Sequence, residues 1–265
     1  MTKLRGNYYL AYTPPVEAAE RRRLAKELMI LGATRLHYSF WKITSEITKP
    51  VLNLTRGLLP LLLKRSRGIV STLSEEKEIR DLGTVAIIAY RLPKLSQNSR
   101  VATTRVLSEL PAMKIGRCLY LVPYLKSSRI GAYKGVSNTY TDLFRLQAKD
   151  VKVSHMAPLR IVYPVDQEPL IKAFTQVQVN KIEGFASACR KFRETIKAGH
   201  RSDSVGFRKL LSAYRRRYKK LEGLVIFLHK EMGVDLRPLL KRSYPVLLAC
   251  RALLETEYIV QMLPK

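Results

Sequence analysis

One segment occurs twice in this chain, and a duplication limits the architecture before any single residue is interpreted. The first copy runs from Asn7 to Thr44 and the second from Gly83 to Pro123. Each reads as strand, Tyr-x-x-Pro, amphipathic helix, small-residue turn and strand. Tyr12 aligns with Tyr90 and Trp41 with Tyr120, at offsets that differ by a single residue.

Both copies set a wholly apolar or alternating run ahead of a proline, the composition of a buried strand. Proline supplies no ladder donor and fixes φ, so the strand ends there. Apolar residues then recur at helical spacing: Leu24, Leu28 and Leu31 in the first copy, Val106 and Leu110 in the second. Gly32 closes one helix, the Pro111 to Gly116 region closes the other, and a second strand follows. This β-α-β pattern is the half-unit of a ferredoxin-like sandwich. Two copies make either two such units side by side or the two halves of one split sandwich. The expected class is α+β: two tandem ferredoxin-like units, at residues 1–75 and 82–165, followed by an all-helical C-terminal domain at 166–265.

The same residues carry a resemblance. The second copy, with Tyr90-x-x-Pro93, Arg100-Val101-Ala102, a leucine-bearing helix and Leu119-Tyr120-Leu121-Val122-Pro123, is similar to the N-terminal domain of the ChrB chromate-resistance regulators. The first copy, with Tyr12, Pro15, Arg21-Arg22-Arg23, Leu36 and Ser39-Phe40-Trp41, resembles the C-terminal domain of the PaaX phenylacetate-catabolism repressors. Both groups share a ferredoxin-like fold with the small CRISPR adaptation subunit. The resemblance implies that fold and leans toward a DNA-binding regulator. Members of the CRISPR group that cut nucleic acid hold a metal on an Asp at the end of the first strand. Here that stretch is Ala11-Tyr12-Thr13-Pro14-Pro15 in one copy and Ala89-Tyr90-Arg91-Leu92-Pro93 in the other. Mg²⁺ is commonly held by one or two carboxylates, so no metal and no cofactor is expected.

Charge narrows the partner. The chain has 48 Lys and Arg against 21 Asp and Glu, a formal net charge of +27. The excess runs through residues 1–165 and 166–265 alike. With 46% hydrophobic residues the chain can bury a core, so this is no disordered basic tail. Such self-repulsion is offset best by a polyphosphate, which points to nucleic acid, either DNA or structured RNA. A ribonucleoprotein assembly fits the same charge, and a homodimer is the other assembly expected. Cys118, Cys189 and Cys250 lie far apart with no metal-ligand spacing and imply reduced, buried thiols in the cytoplasm. Near-apolar runs such as Gly57 to Leu63 are too short to span a bilayer, so no membrane partner is expected. Scarce Asn and Gln beside abundant Lys and Arg fit a thermophilic source.

Beyond the copies, Pro50 to Arg67 reads as a helix interrupted near Pro60. Ser74 to Asp81 reads as an acidic linker and Lys126 to Asn138 as a basic loop. A short helix follows from Thr139 to Lys149, and Val151 to Val165 reads as strand. Three long helical stretches complete the chain: Glu168 to Ala198, Ser204 to Met232 and Arg237 to Leu263. Pro238 suits a helix start, and Pro245 predicts a kink in the last helix.

Four basic clusters are candidate phosphate contacts. Arg21 and Arg22 begin the first helix, where successive side chains diverge by about 100°, so no more than two of Arg21-Arg22-Arg23 face one ligand. Lys64, Arg65 and Arg67 read as a basic helix end, a placement that the helix dipole alone also favours. Lys126, Arg129 and Lys134 lie on the Gly-containing loop, with Tyr133 beside them as a base-stacking candidate. Arg215, Arg216, Lys219 and Lys220 form a dense run with Lys209 two turns earlier. Such a run is costly by tenths of a kcal/mol per pair unless a phosphate backbone offsets it. Tyr214 and Tyr218 in the same run either stack on bases or fill the seam of a helical bundle. The histidines are dispersed, and no Ser-His-Asp order, phosphate-binding glycine loop or HExxH is present.

The sequence therefore predicts a non-enzymatic nucleic-acid-binding protein, foremost a DNA-binding regulator. A structured-RNA or ribosome-associated protein is the nearest alternative. A metal-dependent nuclease on the same scaffold and an assembly subunit for an acidic protein are the rivals from other classes.

Overall fold

The computed structural model describes residues 8–66, 82–91, 101, 105–107, 109–124, 152–198 and 204–262. Eight strands form one antiparallel sheet: β1 (Tyr8–Ala11), β2 (Thr34–His37), β3 (Phe40–Ile43), β4 (Leu61–Arg65), β5 (Thr84–Arg91), β6 (Met113–Gly116), β7 (Leu119–Pro123) and β8 (Lys152–Tyr163). Their order is β2-β3-β1-β4-β8-β5-β7-β6. The first four strands in the chain occupy one half of the sheet and the last four the other, and the two blocks do not interleave. They meet where β4 pairs with β8, through Lys64↔Arg160 and Arg65↔Leu159.

In the first half, α1 (Ala18–Ile30), α2 (Thr48–Leu54) and a 3-10 turn (Arg56–Leu58) connect the strands. In the second half, residues 101, 105–107 and 109 are helical. The remainder is α-helix: α3 (Glu168–Lys197), α4 (Ser204–Met232), α5 (Arg237–Lys241) and α6 (Tyr244–Met262). Fold class is thus α+β, with an eight-stranded antiparallel sheet and a helical C-terminal region.

Successive residues of a strand point to opposite faces, and β1 is apolar on both. Leu10 joins a cluster with Tyr12, Trp41, Val51 and Leu62, closed by Leu24, Ala25 and Leu28 of α1. Tyr9 and Ala11 enter the larger core with Phe40, Leu61 and Leu63, shared with Val85, Ile87 and Ala89 of β5. A strand covered on both faces is written as a continuous apolar run. Each fully buried leucine contributes about 1.5–3 kcal/mol relative to exposure. Two bonds repeat across the halves: Tyr12 N–H donates to the Ser39 carbonyl (3.2 Å), and Tyr90 N–H donates to that of Cys118 (3.0 Å).

The helices extend the larger core. Phe174, Ile182, Phe185, Cys189, Phe192 and Ile196 recur at helical spacing along α3 and are buried. They pack with Leu224, Phe227 and Leu228 of α4 and with Leu247, Cys250 and Leu254 of α6. Three polar contacts join the C-terminal helices to the segment that leads into β6. Lys181 Nζ donates to the Leu110 carbonyl (2.7 Å), Gln178 Nε2 to that of Ala112 (3.5 Å), and Lys220 pairs with Glu109 (2.6 Å). Among the described residues, no helix is long and apolar enough to cross a membrane.

Three sequence expectations need correction. Each copy contains two strands after its helix, because the chain turns back at Tyr38-Ser39 and at Arg117-Cys118. Neither turn carries the usual Gly or Asn signal. Cys118 itself takes the left-handed conformation, with φ 57°. The stretch after Pro60 is strand β4 rather than helix. Leu61, Leu62 and Leu63 are buried on both faces, a pattern that periodicity cannot separate from a buried helix. Finally, Pro245 kinks nothing. The chain breaks at Arg242-Ser243, and Pro245 lies in the first turn of the new helix α6, where its missing N–H costs no hydrogen bond. Pro238 starts α5 as expected. The 74–81, 126–138 and 139–149 segments lie outside the described residues.

Candidate nucleic-acid interface

α4 carries a dense set of exposed cations. Lys209, Arg215, Arg216 and Lys219 are all exposed. At 100° per residue they fall within a sector of about 120°. The opposite side of the helix holds Leu211, Leu224 and Leu228 in the core. Amphipathicity therefore aims the basic run outward: the core residues fix the helix rotation and the cations take what remains. Among the described residues, none of these four cations is engaged in an ion pair.

Other members of the run are already engaged. Lys220 is held by Glu109, which also pairs with Arg105 (3.7 Å). Its charge is therefore spent in joining α4 to the helical segment ahead of β6. Arg217 lies over the Phe185 ring, 5.6 Å from the centroid. Tyr214 and Tyr218 line the seam of the helices. Tyr214 stacks on Phe192 at 5.0 Å and its hydroxyl donates to the Ala188 carbonyl (3.4 Å), while Tyr218 meets Tyr244 at 5.4 Å. Burial raises both phenol pKa values above the ordinary one. The ring face that Tyr214 would offer a base is taken by Phe192.

A second basic group marks the joint between the sheet halves. Lys64 and Arg65 lie on strand β4, not on a helix end, and both are exposed. Lys64 stands in register with Arg160 on β8 and leans over the ring of Tyr8 at 5.4 Å. Like charges directly opposite on neighbouring strands repel.

On α1, Arg22 is exposed, whereas Arg21 turns back and donates to the carbonyls of Pro15 (3.0 Å) and Val16. Arg21 thus fastens the loop ahead of its own helix. Arg23 pairs with Glu27 (3.5 Å). Arg67, Lys126, Arg129, Tyr133 and Lys134 lie outside the described residues.

The ends of β1 and β5 carry aromatic rings and no carboxylate. Tyr12 and Tyr90 are both buried, and Tyr90 stacks with Tyr120 at 6.1 Å. Burial raises the pKa of each. His37 is buried too, with Nε2 3.0 Å from the Tyr90 carbonyl, so that nitrogen carries the proton and donates. Cys189 and Cys250 are buried thiols and Cys118 is half-buried; burial pushes Cys189 up to about 12.

Arg35, Tyr38 and Arg117 escape a reading of the sequence. Arg35 lies on β2, Tyr38 in the β2–β3 turn and Arg117 in the β6–β7 turn, with both guanidiniums directed at the Tyr38 ring. A sequence-level signal existed: an exposed aromatic and an arginine at equivalent positions of the two copies. It requires the hairpin turns to be recognised first.

No family model, curated protein or solved structure matches this chain.

Proposed function

We propose that the chain is a pair of ferredoxin-like units with a helical annex, and that it grips the phosphate backbone of nucleic acid as a DNA-binding regulator without catalysing a reaction. Supporting the first part, the β2-β3-β1-β4 half and the β6-β7-β5-β8 half each have the strand order that a β-α-β-β-α-β chain adopts. The observation that carries the second part is the outward sector of α4, where Lys209, Arg215, Arg216 and Lys219 stand without acidic partners among the described residues. Guanidinium and ammonium groups placed so release counterions on meeting a polyphosphate, and the affinity follows salt.

The test is a salt titration of binding to duplex DNA, structured RNA and polyglutamate. Steep salt dependence with preference for duplex DNA is the expected result. Replacing Arg215 and Lys219 by Ala should lower the slope of log K against log salt by about one to two. Preference for structured RNA would move the reading to a ribonucleoprotein component. Equal affinity for all three polyanions would leave charge without recognition and overturn it. Incubation with labelled DNA and RNA plus Mg²⁺ or Mn²⁺ checks the remaining clause: cleavage abolished by changing one carboxylate would make the protein a nuclease.

A further inference from the structure

The tips of two hairpins that are remote in sequence converge at one exposed aromatic ring. Tyr38, 52% exposed, forms the β2–β3 turn with Ser39. Arg35 Cζ lies 5.7 Å from its ring centroid, and Arg117 Cζ, from the β6–β7 turn, lies 5.6 Å from it. Arg35 also lies over the buried ring of Trp41 at 5.6 Å, opposite which it stands in register. Both arginines are exposed, and neither forms an ion pair among the described residues.

The convergence is built rather than incidental. His37 Nε2–H donates to the Tyr90 carbonyl, fixing the first hairpin to the strand that precedes the second. Gly116, lacking a side chain, lets the second turn approach the Ser39 hydroxyl and the Tyr12 carbonyl. These contacts fix the backbone on both sides of Tyr38. A guanidinium over a ring is held by its face and uses no N–H to be held. Arg35 spends only Nε, on the His37 carbonyl at 3.4 Å. Among the described residues, the terminal nitrogens of both groups keep their donors. Two like charges drawn to one ring repel each other, and an anion presenting several acceptor oxygens offsets the repulsion while satisfying those donors.

We propose that Arg35 and Arg117, steadied by Tyr38, form a phosphodiester-binding site at the hairpin tips, a second point of contact for the nucleic acid gripped by α4. The site requires both copies of the duplicated segment, since each supplies one guanidinium. It also uses positions at which the copies have diverged: register places Arg35 opposite Trp41 and Lys114 opposite Tyr120, so Tyr38 and Arg117 follow at equivalent places. This inference rests on the nucleic-acid reading, and the experiment separates their failures.

Full-length protein is titrated with labelled single-stranded DNA, duplex DNA and hairpin RNA over a range of KCl. Wild type is compared with R35Q/R117Q, with R35K/R117K and with R215A/K219A. The glutamine pair should lower the salt slope by about one to two and add to the effect of the α4 pair. The lysine pair should keep most of the slope but lose several-fold in affinity, because it keeps the charge and loses the fork. A wild-type slope in R35Q/R117Q, beside a reduced slope in R215A/K219A, overturns the hairpin site and leaves the nucleic-acid reading standing. No binding by wild type overturns both. Thermal melts accompany each variant. If the glutamine pair melts early, the lysine pair decides: a slope reduced despite retained charge and unchanged melting overturns the site.

Discussion

The Ser39 hydroxyl lies 2.7 Å from the point that a Cβ on Gly116 would occupy, so the two hairpin turns touch through a hydroxyl and a missing side chain. Ser39 Oγ is buried and has no hydrogen-bond partner among the described residues. That makes the contact one of fit, and the sequence is tuned to it on one side only.

Gly116→Ala should therefore destabilise the fold by about 1–3 kcal/mol, the usual cost of overpacking. Ser39→Ala removes the obstructing atom and strands no partner, so alone it should be neutral or slightly stabilising. In the Ser39→Ala background, Gly116→Ala should lose most of its cost. A double-mutant cycle by urea denaturation measures the coupling. A cost that is the same in both backgrounds would show that the turns do not meet here.

Leu59 offers a second test. It precedes Pro60 with φ 50° and is 76% exposed, so it bears the left-handed conformation without burying its side chain. Left-handed backbone costs a non-glycine residue roughly 1–2 kcal/mol. Glycine removes that strain but adds freedom to the unfolded chain. Leu59→Gly should raise stability by a few tenths to about 1 kcal/mol, read as a higher urea midpoint at constant m value. A lower midpoint would mean that Leu59 holds an apolar contact worth more than its strain.

Lys181 gives a pH dependence whose sign can be fixed in advance. Burial lowers its pKa to about 8, against 10.5 for an ordinary lysine. Below pH 8 both the folded and unfolded states hold the proton, and folding bears the full cost of burying the charge. Between about 8 and 10.5 the unfolded chain binds more protons than the folded one, so this residue's contribution to stability rises with pH. The gain is bounded by something on the order of 3 kcal/mol. Other lysines and tyrosines titrate in the same range, so the quantity to measure is the difference between wild type and Lys181→Met. That difference should shift in favour of wild type from pH 7 to pH 10. A flat difference would mean that Lys181 is hydrated in the folded protein.

What could be read from the sequence was whatever local periodicity writes. Leu24 and Leu28 announce α1, Gly233 follows the end of α4, and Pro238 marks a start. Three other features depend on contacts between distant residues. Leu61-Leu62-Leu63 becomes a strand because β1 and β8 flank it, and nothing within the run says so. The turn at Arg117-Cys118 is imposed by pairing of β6 with β7, against the preference of Cys118 for negative φ. The cations around Tyr214 were visible as a run. Their sorting into α4's outward sector, a pair with Glu109 and a stack on Phe185 was not, because it depends on where the helix packs.

That sorting yields the last prediction. Glu109 holds Lys220 at 2.6 Å, with the two side chains 24% and 37% exposed, and it also pairs with Arg105. A partly exposed ion pair is worth up to about 1 kcal/mol, so Glu109→Gln should cost no more than that in stability. The same change releases Lys220, near the outward sector of α4, and removes a negative charge from beside it. If the phosphate backbone lies along α4, Glu109→Gln should tighten binding several-fold at low salt and steepen the salt slope by up to about one. The tightening should vanish in Glu109→Gln/Lys220→Gln while stability stays at the level of the single variant. Binding that is unchanged or weakened by Glu109→Gln, with the fold intact by circular dichroism, would place the nucleic acid away from this end of the helix.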